Sequence, residues 1–182
     1  MEHADHKIRC IWANPKNELY VRYHDEEWGR PVYDDHRLFE MLILESFQAG
    51  LSWECVLNKR EAFRKAFEKV CAYDEEKMEA LKQDSGIIRN RLKIKAAVNN
   101  ARIYKKIAEE YGSFAKYLWG YTQGQVVYEN DKVSSPLSDA ISKDLKKRGM
   151  TFVGTTIIYA YLQAVGVINS HESNCYLYEH RS

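Results

Sequence analysis

A single carboxylate interrupts an apolar helical pattern in the stretch LILESFQAGLSW. The residues that share one helical face with Glu45, in a helix that begins at Asp35, are apolar: Leu38, Met41, Leu42 and Ala49. An apolar face points inward, and a carboxylate on such a face is costly unless it is paired or used. Glu45 is therefore either paired inside the core or the acid of a binding site.

Aromatic residues are placed before and after this acid in the sequence. Those that could line a pocket with Glu45 at its floor are Trp12, Tyr20, Tyr23, Trp28 and Trp53. Aromatic faces combined with a carboxylate acceptor are suited to a flat, cationic base. In the alternative interpretation these aromatic residues build the core and Glu45 is paired internally, which the residue types alone favour.

Cysteine and histidine residues near both ends of the chain could bind a metal. Cys10 and His24 flank IWANPKNELYVRY, and HESNC places His171 and Cys175 on one side of a helical turn. Two ligands from each end would form a closed, tetrahedral zinc site with a structural role. A His-x3-Cys pair can also arise by accident in a chain with 4 Cys and 6 His, so the spacing leaves both interpretations open.

The segment DLKKRGMTFVGTT has the pattern of a helix-hairpin-helix element. Gly149 and Gly154 permit a tight turn, and a helix opening at Thr155 would present free N–H groups to an anion. With Lys147 and Arg148 nearby, the element would hold a DNA phosphate without reading sequence. An ordinary αα-turn with a solvated basic end fits the pattern equally well. A second basic stretch, GIIRNRLKIKA, is interpreted as a solvated helix start.

The elements that would carry these groups are predicted to be helices. Amphipathic spacing, N-cap residues and glycine stops predict helices within residues 34–50, 59–70, 74–84, 89–112, 113–121, 135–149 and 153–166. The segment 122–136 is predicted to be a loop, and no strand alternation of any length competes with the helical pattern. The predicted fold class is therefore all-α.

Composition narrows the possible classes of protein. The chain has 182 residues, of which 45% are hydrophobic, and a formal net charge of +1. No global field attracts it to nucleic acid or membrane, so any polyanion contact must come from a local patch. Without an apolar run of roughly 18 residues or a secretion signal, we expect a cytoplasmic protein with no membrane partner. In a reducing compartment disulfides are not expected, and Cys55 and Cys71 are interpreted as core thiols.

Six motifs in order along the chain resemble the 3-methyladenine DNA glycosylase I family. They are YHDEEWG, LFEMLILESFQAGLSW, GIIRNRLKIKA, LKKRG, FVGTT and HESNC. The resemblance extends from Cys10 to about Cys175 and implies a helix-hairpin-helix glycosylase fold, with a zinc snap joining the N- and C-terminal segments. It implies a single glycosylase domain over residues 8–182, with the base pocket between two helical lobes. Residues 1–7 are predicted to be a disordered extension.

The resemblance also assigns roles to particular residues. The implied ligands of one structural zinc ion are Cys10, His24, His171 and Cys175. The base-binding acid falls on Glu45, and the pocket aromatics fall on Trp12, Tyr20, Tyr23, Trp28 and Trp53. The residue that fills the gap left by the flipped nucleotide falls on Leu51, after Gly50. The phosphate-binding hairpin falls on Gly149 to Thr155, including Gly154, with Lys147 and Arg148 beside it.

The implied activity is hydrolytic release of 3-methyladenine from alkylated double-stranded DNA. No lysine lies beside Glu45 in its helix, and VGVINSH after the second hairpin helix carries no acid. The sequence therefore predicts a monofunctional enzyme, expected to be a monomer, that leaves an abasic site and free 3-methyladenine. Two alternatives remain open: a non-catalytic, zinc-containing module that binds damaged DNA, and a zinc-stapled helical domain that binds a protein.

Overall fold

Helices dominate the computed structural model, which describes residues 6–179. The elements in chain order are α1 (Glu18–Glu26), α2 (Asp35–Gln48), α3 (Trp53–Leu57), α4 (Arg60–Ala66), a 3-10 turn (Val70–Ala72), α5 (Glu75–Leu81), α6 (Arg91–Tyr111), α7 (Phe114–Gly120), β1 (Val127–Tyr128), α8 (Pro136–Lys147), α9 (Thr155–Ala164) and β2 (Ile168–Asn169). The predicted helical character is confirmed over this range. The predicted N-terminal extension lies outside the described residues as far as residue 5.

Side-chain caps explain where several predicted helices begin. Asp34 accepts a hydrogen bond from the backbone N–H of Arg37 at the start of α2. Ser135 and Ser138 form a reciprocal capping box at the start of α8, with Pro136 in the first turn. These local signals are present in the sequence, so the starts of both helices could be predicted.

The structure adds features that the sequence did not predict, among them the short helix α3, which lies between the predicted helices 34–50 and 59–70. Helix α1 follows the first proposed metal ligand, Cys10, and carries the second, His24, in a segment where no helix was expected. Strands β1 and β2 pair in parallel, with Val127 opposite Ile168 and Tyr128 opposite Asn169. Each strand is only two residues long, so neither produces an alternating pattern that could be recognised.

Helix α2 lies in the core and carries Glu45 near its C-terminal end. Leu38, Leu42, Leu44 and Phe47 of this helix are 0% exposed. The Tyr161 hydroxyl of α9 donates to the backbone carbonyl of Leu38 at 3.1 Å, which ties the two helices together. Glu45 therefore belongs to a rigid, buried element. Within residues 6–179, every helix is too short or too polar to cross a membrane.

The segment after α9 packs directly against the chain that precedes α2. Val32 donates its backbone N–H to the carbonyl of Val165 at 3.0 Å. Gly166 has φ +70, and a Cβ at this position would lie 2.1 Å from the carbonyl carbon of Arg30 and 2.4 Å from the nitrogen of Pro31. Only glycine permits both this backbone conformation and this close approach.

Candidate functional site

Glu45 lines a cavity of about 680 Å³. The residue is 4% exposed, and its Oε2 atom has no hydrogen-bond partner among residues 6–179. Burial raises the pKa of the Glu45 carboxyl to about 8, because an apolar surrounding disfavours the charged form. The internal partner that the alternative interpretation required is therefore absent from the described part of the chain, at least at this oxygen.

Aromatic side chains are prominent among the residues that line this cavity. All five that were predicted are among its lining residues: Trp12, Tyr20, Tyr23, Trp28 and Trp53. The rings of Tyr23 and Trp53 have centroids 5.3 Å apart, and those of Trp12 and Trp28 are 4.9 Å apart. Burial first, and the nearby Glu45 second, raise the pKa of Tyr23 well above its ordinary value. The Tyr23 hydroxyl thus keeps its proton and can donate a hydrogen bond.

The cavity also has polar lining residues, which were not predicted from the sequence. They include Asn130, Asp131, Lys132, Gln163, Ser170 and Asn174. The β1–β2 pair brings two of these together, because Ser170 Oγ donates to the carbonyl of Glu129, beside Asn130, at 2.7 Å. Gln163 belongs to α9 and the others to segments that are distant in the sequence, so no local sequence signal could have identified the set.

The four predicted metal-binding residues converge on one buried cluster, whose ligand atoms all lie within 4.8 Å of one another. The Sγ of Cys175 lies 3.5 Å from His24 Nε2 and 3.7 Å from His171 Nδ1. Cys10 Sγ lies 3.7 Å from His171 Nδ1. Ligand-to-ligand S···N distances of about 3.6 Å follow from tetrahedral zinc with ordinary Zn–S and Zn–N bonds. The group could hold a metal ion, and its donors fit zinc.

The geometry of this cluster is supported by surrounding hydrogen bonds. Asp25 accepts from His24 Nδ1 at 2.8 Å, and Arg9 donates to both Asp25 oxygens at 2.8 and 2.6 Å. Burial opposes ionisation of Asp25, but hydrogen bonds from Arg9, His24 and Tyr176 lower its pKa to about 2. An ionised Asp25 only accepts, so His24 carries its proton on Nδ1. Its Nε2 is then an acceptor that could bind a metal, and in this structure the backbone N–H of Cys10 lies 3.3 Å from it.

The two cysteine sulfur atoms of the cluster accept further hydrogen bonds. The backbone N–H of Glu172 donates to Cys10 Sγ at 3.4 Å. A hydrogen bond from the Cys10 thiol, with further ones from His171 and His24, lowers the pKa of Cys175 against the effect of burial. His171 precedes a turn at residues 173–174 and Cys175 follows it, so the two do not share the predicted helical turn. The Cys175 N–H donates to the Glu172 carbonyl at 2.8 Å.

The segment between α8 and α9 forms a tight hairpin with an open helix start. Gly149 has φ +97, and Gly154 is the N-cap of α9, where no side chain caps the first turn. Thr155 uses its hydroxyl internally, 2.6 Å from Asp139 and 2.8 Å from Ser138. The backbone N–H groups of the first turn of α9 therefore remain available to an anion. Lys147, the last residue of α8, is exposed.

Arg148, predicted as a DNA contact, is engaged within the protein. Its guanidinium forms ion pairs with Glu110 at 2.7 Å and with Asp144 at 2.7 Å. It also lies over the rings of Tyr111 and Tyr117, 5.7 and 5.6 Å from their centroids. This geometry fits a residue that supports the base of the hairpin, and it distinguishes Arg148 from its neighbour Lys147.

Leu51 projects from the short turn between α2 and α3. Its side chain is 41% exposed although it is apolar. Gly50 has φ +79, and a Cβ there would meet nothing within 4 Å, so the conformation rather than the space favours glycine. An exposed leucine on a turn that follows directly from the Glu45 helix fits the wedge that the resemblance implied.

This fold is also that of 3-methyladenine DNA glycosylases of known structure. The crystal structure of one 3-methyladenine DNA glycosylase I matches with a TM-score of 0.90 and 43% identity, covering 94% of this chain and 100% of the other. The Staphylococcus aureus 3-methyladenine DNA glycosylase I, solved to explain 3-methyladenine recognition, matches with a TM-score of 0.87 and 36% identity. That match covers 93% of this chain and 97% of the other.

Sequence comparison leads to the same class of protein. The DNA-3-methyladenine glycosylase 1 of Escherichia coli (strain K12) is 45% identical over 181 residues, covering 93% of this chain and 96% of the relative. Residues 12–178 match the family model for methyladenine glycosylase. The chain belongs to the methyladenine glycosylase family.

Proposed function

We propose that this protein is a DNA-3-methyladenine glycosylase, which flips the alkylated base out of duplex DNA and releases it by hydrolysis. The product would be an abasic site. The observation that supports this most strongly is the buried Glu45, whose Oε2 has no partner among the described residues of an aromatic-lined cavity. The names of the relatives, which carry the same activity, support it independently.

The proposed chemistry relies on the charge of the damaged base. Methylation at N3 makes adenine cationic, and a cationic base is a good leaving group because its glycosidic bond is already weakened. The enzyme then needs to extrude the lesion, which costs a few kcal/mol, and to exclude normal adenine. A strong nucleophile or a general acid is not required for this leaving group.

Glu45 would provide selectivity by its ionisation. Because burial raises the pKa of the Glu45 carboxyl to about 8, this carboxyl is largely protonated at neutral pH. A bound cation favours the carboxylate, so binding of the methylated base would be coupled to release of a proton. Neutral adenine gives no such stabilisation. The carboxylate would accept from the exocyclic amine, while Tyr23 donates a second hydrogen bond and Trp53 stacks on the base.

The hairpin and the Leu51 turn would bind the DNA. In a helix-hairpin-helix glycosylase fold, the first turn of α9 and the exposed Lys147 hold one phosphate, and Leu51 enters the gap left by the flipped nucleotide. Residues 8–182 would form one domain with the pocket between two helical lobes, acting as a monomer. The substrate partner is alkylated double-stranded DNA.

The cluster of Cys10, His24, His171 and Cys175 would bind one structural zinc ion. All four residues are buried, and the four side chains complete a tetrahedral set with no position left for substrate. When bound, the zinc ion would supply a cross-link between the two ends of the chain. The protein residues around it would then hold Trp12 and Trp28 in place.

The test is release of free 3-methyladenine from methylated duplex DNA, measured by chromatography. We expect release by the wild type and loss of most release by Glu45→Gln. Glu109→Gln, which changes an exposed carboxylate on α6, serves as the matched control and should match the wild type. Binding of methylated DNA without release of base would instead support a non-catalytic module. Equal release by Glu45→Gln would contradict the role of the carboxylate.

A further inference from the structure

Lys93 is a charged residue that lies in the interior of the protein. It is 7% exposed, and its Nζ donates to the carbonyl oxygens of Phe47 at 2.7 Å and Ala49 at 2.6 Å. Both carbonyls belong to the C-terminal end of α2, directly after Glu45. Lys93 does not line the cavity, so its role there is indirect. The sequence had suggested a solvated helix start at this position, and for Lys93 that expectation is wrong.

The end of α2 depends on this ammonium group because the backbone turns away abruptly. The C-cap residue, Ala49, has φ −46 and ψ 116, outside the helical region. The last carbonyls of a helix lack intrahelical donors. A cation beside them also interacts favourably with the negative end of the helix dipole. Lys93 thus fixes the direction in which the chain enters Gly50 and Leu51.

The same helix, α6, also holds the hairpin. Asn100 is 1% exposed; its Nδ2 donates to the Thr151 carbonyl at 2.8 Å, and its Oδ1 accepts from the Thr151 N–H at 3.0 Å. Asn99 Nδ2 donates to the Gly149 carbonyl at 2.9 Å. Lys93 and Asn100 are about 10 Å apart along the helix axis. One helix, α6, therefore forms hydrogen bonds both to the end of α2, just before the turn that carries Leu51, and to the hairpin.

We propose that α6 sets the distance between the Leu51 turn and the phosphate-binding hairpin, with Lys93 as a positioning residue for base extrusion. This inference rests on the proposed function, in which the hairpin holds a phosphate and Leu51 enters the base stack. A wedge that is anchored at one phosphate reaches the gap only if its distance from that anchor is fixed. Lys93 fixes it through the carbonyls of Phe47 and Ala49, and acts through Leu51.

The test is Lys93→Met, which keeps the apolar stem and removes the ammonium group. We expect the single-turnover rate constant for release of 3-methyladenine from duplex DNA to fall by about ten- to a hundred-fold, as for a misplaced contact. The affinity for free 3-methyladenine, followed by tryptophan fluorescence, should change by less than about two-fold, because this ligand needs no wedge. Lys106→Met, an exposed lysine on the same helix, is the matched control and should match the wild type.

A double-mutant cycle distinguishes positioning from a general structural effect. If Lys93 acts through Leu51, Lys93→Met should cost little further rate in a Leu51→Ala background. Additive losses would overturn the inference, and so would a wild-type rate in folded Lys93→Met. If Lys93→Met does not fold, Lys93→Arg is used instead, because arginine retains the charge but has a planar guanidinium group. We expect Lys93→Arg to show a smaller loss of the single-turnover rate. A wild-type rate in Lys93→Arg would then overturn the inference. Absence of release by the wild type would instead contradict the proposed function.

Discussion

The indole ring of Trp28 lies edge-on against the imidazole of His171, with ring centroids 4.8 Å apart and an interplanar angle of 88°. Trp12 lies in the same way against His24, with ring centroids 5.2 Å apart. Both tryptophans line the cavity that contains Glu45. The buried cysteine–histidine cluster and the cavity therefore share a wall, and a change in one is transmitted to the other by direct contact.

Removal of metal should therefore weaken base binding. We expect about one zinc ion per chain by metal analysis, since the cluster offers one tetrahedral site. Treatment with a chelator should reduce the affinity for free 3-methyladenine at least about ten-fold, because structural sites contribute directly to folding. Restoration by added zinc is the control. Unchanged affinity in the metal-free protein would show that the aromatic wall is stable without the cluster.

Asp25 should control metal affinity without being a ligand. Asp25→Asn would lose the carboxylate that accepts from His24 Nδ1 and should lower zinc affinity by about 10- to 100-fold. Competition with a chromophoric chelator measures this directly. The neighbouring Glu26→Gln, which changes an exposed acid paired with Arg22 at 3.7 Å, should have no effect. Equal zinc affinities for the two variants would argue against the orienting role.

Glu45→Gln should stabilise the protein while removing most of its activity. The pKa of Glu45 is about 8 in the folded protein, against an ordinary value of 4.5. Between these two values the folded state binds the extra proton, so the free energy of unfolding falls as pH rises through this window. The variant removes this slope, and should gain about 1–2 kcal/mol near neutral pH even with its amide buried. Urea unfolding at about pH 5 and about pH 8 tests this; a pH slope equal to that of the wild type would contradict it.

Lys147 and Arg148 are adjacent but should respond differently to substitution. Lys147→Ala should weaken DNA binding uniformly across sequences and reduce the salt dependence by about one unit of slope. Arg148→Ala should mainly lower thermal stability, by a few degrees, because it removes the contacts with Glu110 and Asp144. Fluorescence anisotropy at several salt concentrations and calorimetry separate the two effects. A larger change of salt slope for Arg148→Ala would reverse this assignment.

Gly166→Ala should be severely destabilising. The added Cβ would lie 2.3 Å from the carbonyl oxygen of Arg30, and the residue has φ +70. The neighbouring atoms are backbone, so neither strain nor clash can be relieved by a side-chain rotation. We expect a loss of more than about 3 kcal/mol or failure to fold. Gly120→Ala, where a Cβ meets nothing within 4 Å, is the control and should be tolerated.

The parts of the site that could be predicted are those with local sequence signals, such as N-cap residues, apolar helix faces and glycines at turns. Helix α2 has an N-cap, an apolar face and a glycine after its end, so the buried position of Glu45 followed from spacing alone. The α8–α9 hairpin likewise has glycines at both turning points. Helix α1 was missed because its buried face consists of Tyr20, Tyr23 and His24, which belong to the cavity and the cluster and do not form an apolar stripe.

The unpredictable part consists of contacts between segments that are distant in the sequence. Lys93 reaches carbonyls 46 and 44 residues away, and the pairing of β1 with β2 joins residues 127–128 to residues 168–169. The local sequence around a basic residue in a helix does not show whether the C-terminal end of another helix will pack against it. The role of Lys93 and the polar lining residues of the cavity therefore follow only from the three-dimensional structure.

The position of the metal-binding residues along the chain has a consequence for biosynthesis. A ribosome makes Cys10 and His24 early, but His171 and Cys175 emerge only after the helices that carry Glu45, Lys93 and the hairpin. A chain interrupted before His171 would hold half a set of ligands and an unsupported aromatic wall. The proposed metal site, and with it the support of Trp12 and Trp28, would thus form only after the last helix, α9, has been made.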